Sequence, residues 1–158
     1  MITIENFEAW ELVDPYIYAK YGEASLQFID PRLKKWIEWF RNRIDLPVYV
    51  NNYKDPSKPA VIFDERGYRS NLCDIVKAKT GIIKGVYHKE DEILYLSAHT
   101  RFQAIDFDVQ GCLAEEIRSW IKNHQKEMPV PIRLEKDVKW VHMDVCAPLD
   151  SYDKVTYF

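Results

Sequence analysis

The sequence predicts an α+β domain, a small antiparallel sheet with flanking helices. Three observations carry that expectation. Residues 31–44 and 112–125 place apolar side chains at helical spacing. Short runs rich in β-branched and aromatic residues, at 103–109, 132–135 and 138–145, are separated by polar turns. Helices come first and strands mixed with helices follow, an order that suits hairpins better than βαβ repeats.

The elements follow in chain order. Phe7 to Tyr21 is aromatic-rich and reads as helical, with Pro15 breaking or kinking it. Asp30 is a good N-cap, and Pro31 suits the first helical position. Leu33, Trp36, Ile37, Phe40 and Ile44 then form one apolar stripe, with Lys and Arg filling the opposite face. Leu46 to Val50 reads as a short strand, Asn51 to Lys58 as a loop, and Ala60 to Phe63 as another short strand. Asp64 to Ser70 is a polar turn, and Asn71 to Thr80 a helix closed by Gly81. His88 to Glu92 is a charged loop.

Ile93 to Ala98 and Gln103 to Val109 read as two strands around a short link. Cys112 to Gln125 is the second clear helix, with Leu113, Ile117, Trp120 and Ile121 as its buried stripe. Pro129 and Pro131 end it. Ile132 to Glu135 and Val138 to Val145 form a hairpin over Lys136 and Asp137. A single domain over 1–158 is expected: a helical part over 1–45, a core over 46–146 and an extended tail over 147–158.

Composition narrows the function classes. With 47% hydrophobic and 30% charged residues the chain reads as globular and large enough for a real core. A net charge of −3 argues against broad nucleic-acid binding or an anionic membrane partner. No apolar run is long enough for a transmembrane helix. Residues Met1 to Glu8 lack a basic region followed by an apolar one, so no secretory signal is expected and the protein is taken to be made in the cytoplasm. Cys73, Cys112 and Cys146 are widely and irregularly spaced, which suits reduced buried thiols rather than a disulfide framework or a metal knuckle.

The chemistry-bearing residues sit in two stretches. The first runs from Leu96 to Asp108 and holds His99 and Asp106 seven residues apart. The second, Trp140 to Val145, adds His142. Strand alternation puts Val141, Met143 and Val145 on one face and Trp140, His142 and Asp144 on the other. In 103–109, Ile105, Phe107 and Val109 share a face, opposite Ala104, Asp106 and Asp108. A tight link would fold His99 back over Asp106. Two imidazoles and a carboxylate are a good three-ligand set for zinc, with a fourth position open to water. Spacing alone leaves this trio open between a metal site and ordinary structural residues. His124, four residues after Trp120 on a helix, and His88, amid charged neighbours, read as structural and solvated respectively.

Ser97-x-His99, Ala104-x-Asp106 and Trp140-x-His142-x-Asp144, with Gly67-Tyr68-Arg69-Ser70 upstream, resemble the zinc D-Ala-D-Ala carboxypeptidase and L-alanyl-D-glutamate endopeptidase family. These are peptidoglycan peptidases that share a fold with the hedgehog signalling domain. The resemblance covers roughly Pro47 to Val145 and makes that core zinc-peptidase-like. It implies that His99, Asp106 and His142 are the zinc ligands. It also implies that Arg69 grips a substrate carboxylate, a task suited to a guanidinium fork. Tyr68 and Ser70 would support Arg69, Ser97 would orient the site or bind substrate, and Asp144 would hold His142 in orientation.

The catalytic base departs from the pattern. The family commonly has Glu three residues before the last His or a His two before it, and here those positions are Lys139 and Trp140. Glu135, Asp137 and Asp144 are the nearby carboxylates, and Glu135 is the choice because the hedgehog-type domain keeps its site Glu at much that place. The implied activity is hydrolysis of peptidoglycan stem peptides. The alternative is a catalytically inactive cell-wall-binding or phage structural domain that keeps the fold. A phage lysis protein, a virion-associated protein and an enzyme of wall recycling all fit the expected absence of a signal.

Overall fold

The computed structural model describes residues 2–55, 61–80, 95–147 and 153–158. Gly81, the 88–92 loop, and the outer parts of the expected strands at Ala60 and at Ile93 and Leu94 lie outside them.

The chain opens with α1 (Ala9–Leu12) and α2 (Pro15–Tyr21). Pro15 starts a helix here rather than kinking one. Val13 and Asp14 are extended, and Asp14 Oδ1 accepts from the Ile17 amide at 2.9 Å. A 3₁₀ segment (Gly22–Phe28) leads to α3 (Pro31–Ile44). Asp30 caps α3 through the Arg32 amide at 2.8 Å, and Leu33, Trp36, Ile37 and Phe40 are buried, as the apolar stripe requires. The strand expected over 46–50 is shortened to β1 (Val48–Tyr49).

Residues 61–63 form no strand. Asn52 takes over their backbone groups: its amide donates to Phe63 O at 2.8 Å and its Oδ1 accepts from Phe63 N. The expected helix over 71–80 begins later, as α4 (Asp74–Thr80). Residues 95–98 also form no strand. Ser97 and Thr100 exchange side-chain and backbone hydrogen bonds and wind the chain into a 3₁₀ turn, His99–Arg101.

β2 (Ala104–Val109), α5 (Ala114–Asn123), β3 (Ile132–Leu134) and β4 (Val141–Asp144) follow. Leu113 is not part of the buried stripe of α5. It is the extended residue before the helix and is 71% exposed. The tail is not simply extended: β5 (Val155–Tyr157) pairs parallel with β3. Among the described residues the sheet is therefore mixed, not antiparallel throughout, in the order β1-β2-β4-β3-β5. A short Val-Thr-Tyr run has the β-branched and aromatic character that an edge strand wants.

One sheet face is core. Phe107 packs on Trp36 and Phe40 of α3, with ring centroids 6.1 and 5.2 Å apart, and Phe40 meets Trp120 of α5 edge-on. Ile105, Val141 and Met143 complete that face. Truncating a side chain as buried as Trp36 costs about 3–5 kcal/mol, so α3 anchors the sheet. The opposite face is left for polar groups.

Candidate metal centre

The register of β2 and β4 decides the site. Asp106 lies directly opposite His142, and Ala104 opposite Asp144. Directly opposed residues of an antiparallel pair project to the same face. His142 Nδ1 lies 2.6 Å from Asp106 Oδ1. His99 reaches the same carboxylate from the 3₁₀ turn, with Nε2 3.3 Å from Asp106 Oδ2 and 3.3 Å from His142 Nδ1. That turn ends on Phe102, a buried aromatic with φ 52°, held by a stack on Tyr68 at 4.9 Å and 9°. A left-handed non-glycine residue costs on the order of 1 kcal/mol or more, and burial of the ring offsets it.

A backbone oxygen fixes the direction of the His99 ring. Its Nδ1 donates to the Gly67 carbonyl at 2.8 Å. A carbonyl can only accept, so the proton sits on Nδ1 and the Nε2 lone pair faces the cluster. Gly67 is there because nothing larger fits: a Cβ would lie 2.0 Å from Leu12 O. The neighbouring Tyr68 amide donates to that oxygen at 2.9 Å, and the Asp14 amide donates to Tyr68 O at 3.0 Å. The N-terminal helices thus hold the 67–70 segment against the sheet.

His99, Asp106 and His142 could together hold a metal ion, since their ligand atoms all lie within 4.8 Å of one another. A tetrahedral ion with bonds of about 2.0–2.1 Å wants ligand atoms about 3.3 Å apart, the separation of both His99 contacts. Burial lowers the His99 pKa, despite the Asp106 carboxylate, and keeps its ring neutral as a ligand requires. Burial alone would raise Asp106, but the hydrogen bond and positive charge of His142 outweigh it and hold the carboxylate ionised. Burial would lower His142 too, yet Asp106 and Asp144 prevail and raise it to about 9.

Around the trio the remaining candidates divide. The Arg69 guanidinium is nearly buried and donates to Asp106 Oδ2 at 2.8 Å and to Glu65 O. It is therefore not a surface ion pair, and its first task is to hold Asp106. Tyr68 stacks on Phe102, while the Ser70 amide donates to Asp14 Oδ2 and its hydroxyl accepts from Leu72 N at 3.2 Å. Both brace the segment that carries Arg69. The Ser97 hydroxyl serves the turn of His99, accepting from the Thr100 amide at 3.2 Å. Asp144 is 1% exposed and grips Arg133 with both oxygens, at 2.9 and 2.7 Å. His142 Nε2 stands 3.7 Å from its Oδ2, an ion-pair rather than a hydrogen-bond distance.

Glu135 follows β3 directly. Leu134 pairs with Met143, and the Glu135 amide continues the ladder by donating to His142 O at 3.2 Å. Glu135 thus stands across from His142 on the polar face. Asp137 is exposed at the turn with φ 60°. His124 stacks on Trp120 at 4.0 Å and donates to its carbonyl, a structural role.

Three contributors escaped the sequence reading. Asp14, buried between α2 and the 67–70 segment, belongs to no motif that the sequence offers. Arg133 carries no motif, although its i+2 alternation with Glu135 in the strand expected over 132–135 could have put it on the polar face. Arg118 is 3% exposed on α5 and donates to Trp140 O at 2.9 Å and Val138 O at 3.0 Å, clamping the link between β3 and β4. Its position on a predicted helix gave no sign of burial.

No protein-family model matches the chain, and no curated protein or solved structure matches it significantly. Among the described residues no helix is long and apolar enough to cross a membrane.

Proposed function

We propose that this protein is a zinc-dependent peptidase that hydrolyses peptide bonds of peptidoglycan stem peptides, with the hedgehog-like fold of the D-Ala-D-Ala carboxypeptidase and L-alanyl-D-glutamate endopeptidase family. One observation carries the reading: His99, Asp106 and His142 converge from separate motifs, with ligand atoms inside 4.8 Å. When bound, zinc supplies a Lewis acid that polarises the scissile carbonyl and lowers the pKa of water.

The chain's own residues supply the rest. The Gly67 carbonyl keeps the His99 proton on Nδ1, leaving the Nε2 lone pair free to ligate the metal. Arg69 holds Asp106 in place, and its remaining donor capacity is directed at a substrate carboxylate. Asp144, locked by Arg133, steadies His142. The Glu135 carboxylate, across from His142, takes the proton of the attacking water and passes it to the leaving amine nitrogen.

Lys139 and Trp140, at the positions where the family commonly keeps its base, favour a second reading. In it the chain is a catalytically inactive wall-binding or phage structural domain. Metal analysis of the purified protein, with mass spectrometry of a peptidoglycan digest by wild type, His99→Ala and Glu135→Gln, separates the two. The peptidase reading expects one zinc per chain, released peptides or amino acids from wild type alone, and zinc retained in Glu135→Gln. Zinc without released product supports the second reading. A chain that takes up no zinc and releases nothing sinks the first.

A further inference from the structure

A cavity of about 430 Å³ opens beside the candidate metal centre, between α2, the Gly22–Phe28 segment and the 67–72 segment. Its walls are aromatic: Tyr16, Tyr21, Phe28 and Tyr68. Three of these are unusually exposed for large side chains, Tyr16 at 48%, Tyr21 at 39% and Phe28 at 38%. Exposed apolar surface gathered at one concavity marks a binding site more often than an accident of folding.

Charge says what kind of ligand fits. Lys20 and Arg69 line the cavity, and no Asp or Glu does among the described residues. The chain as a whole carries 25 acidic against 22 basic residues, so this is a local reversal of sign. Lys20 Nζ lies 5.1 Å over the Tyr21 ring, which holds the ammonium at the aromatic wall. Arg69 joins the two places: it lines the cavity and donates to Asp106 Oδ2 at 2.8 Å.

We propose that this cavity is a subsite for a carboxylate-bearing peptide segment. The apolar atoms of the segment lie on Tyr21 and Phe28, its carboxylate meets Lys20, and the bond to be cut is passed across Arg69 to the His99, Asp106 and His142 cluster. The subsite rests on the peptidase reading for its substrate and on the cavity alone for its chemistry. Five of its thirteen described lining residues, Lys20 among them, come before Pro47, a part of the chain outside the family resemblance.

The test is calorimetric titration of the full chain, with EDTA present to suppress cleavage. The probes are the tripeptide L-Ala-γ-D-Glu-L-Lys and the same tripeptide with the glutamyl α-carboxylate amidated. Wild type is expected to bind the acidic form about tenfold more tightly, a difference of about 1.4 kcal/mol. Lys20→Gln should erase that preference and Lys20→Arg should keep it. Lys20 is exposed, so neither change threatens folding. Equal affinity for both probes in wild type, a preference that survives in Lys20→Gln, or no binding of either probe overturns the proposal. Lys20-dependent binding by a protein that cuts nothing with zinc upholds the subsite and refutes the peptidase reading. Cleavage of both peptides with equal kcat/KM in wild type and Lys20→Gln does the reverse.

Discussion

The carbonyl oxygen of Gly67 accepts a hydrogen bond from His99 Nδ1 at 2.8 Å, and the same glycine has no room for a Cβ beside Leu12 O. One residue thus sets a packing distance and a tautomer. Gly67→Ala must push the 67–70 segment off α1, and with it the oxygen that aims His99. We expect a stability loss of about 2 kcal/mol or more and a loss of metal uptake greater than that destabilisation explains. Thermal melts and metal titration of the folded fraction check it. A variant that melts like wild type and binds zinc as well removes Gly67 from the site.

Proton competition should govern metal uptake. His142 is raised to about 9 against an ordinary 6.5, because Asp106 and Asp144 outweigh its burial. A folded pKa above the unfolded one stabilises the ion-free protein fully below pH 6.5, and that contribution is lost as pH rises through about 9. Metal binding at Nδ1 must displace the same proton. Apparent zinc affinity should therefore rise about tenfold per pH unit between 6.5 and 9, with close to one proton released per ion below pH 9. Competition titrations against a chromophoric chelator at pH 6.5, 7.5 and 8.5 test this. A flat profile would mean that His142 enters the complex already neutral.

What the sequence could show of this site was its ingredients and the face each occupies. Alternation put His142 and Asp144 opposite Val141 and Met143, and the helical stripe of α3 was legible because 3.6-residue periodicity is a local property. Register is not local. That Asp106 faces His142 rather than Asp144 depends on which residues of two distant strands meet, and nothing in either strand encodes the offset. The strand expected at 93–98 failed for a related reason at its described end. Ser97 and Thr100 satisfy each other's backbone and favour a turn over an extended chain. β5 was missed because three residues of a tail acquire strand character only when β3 is present to receive them.

Asp144 should matter through its partners. It is buried, and the nearby His142 ring and the hydrogen bonds from Arg133 overcome the effect of burial and hold its pKa well below the usual carboxylate range. Asp144→Asn keeps the size of the side chain but leaves the Arg133 guanidinium without its counter-charge. The expected cost is about 3 kcal/mol, with zinc affinity down 10–100-fold because His142 loses its support. Pairing the change with Arg133→Met should recover part of the stability and none of the affinity. Recovery of both would mean that Asp144 acts on the fold alone.

Asp30 offers a test of the scaffold at a residue outside the His99, Asp106 and His142 cluster. It caps α3 through the Arg32 amide, pairs with the Arg32 guanidinium at 2.7 Å and accepts from the Gln103 side chain at 2.8 Å. The Arg32 hydrogen bond leads in lowering its pKa to about 2, against an opposing effect of burial. A depressed folded pKa gives stability that is present above the unfolded value near 4 and is lost as pH falls through about 2. Asp30→Ala should cost about 1 kcal/mol at neutral pH, and the deficit should shrink as pH falls from about 4 toward 2. Asp30→Asn keeps the cap acceptor and loses the ion pair, so it should fall between the two. Urea denaturation at pH 7 and pH 3 measures both. A deficit that is the same size at the two pH values would assign the whole effect of Asp30 to packing rather than charge.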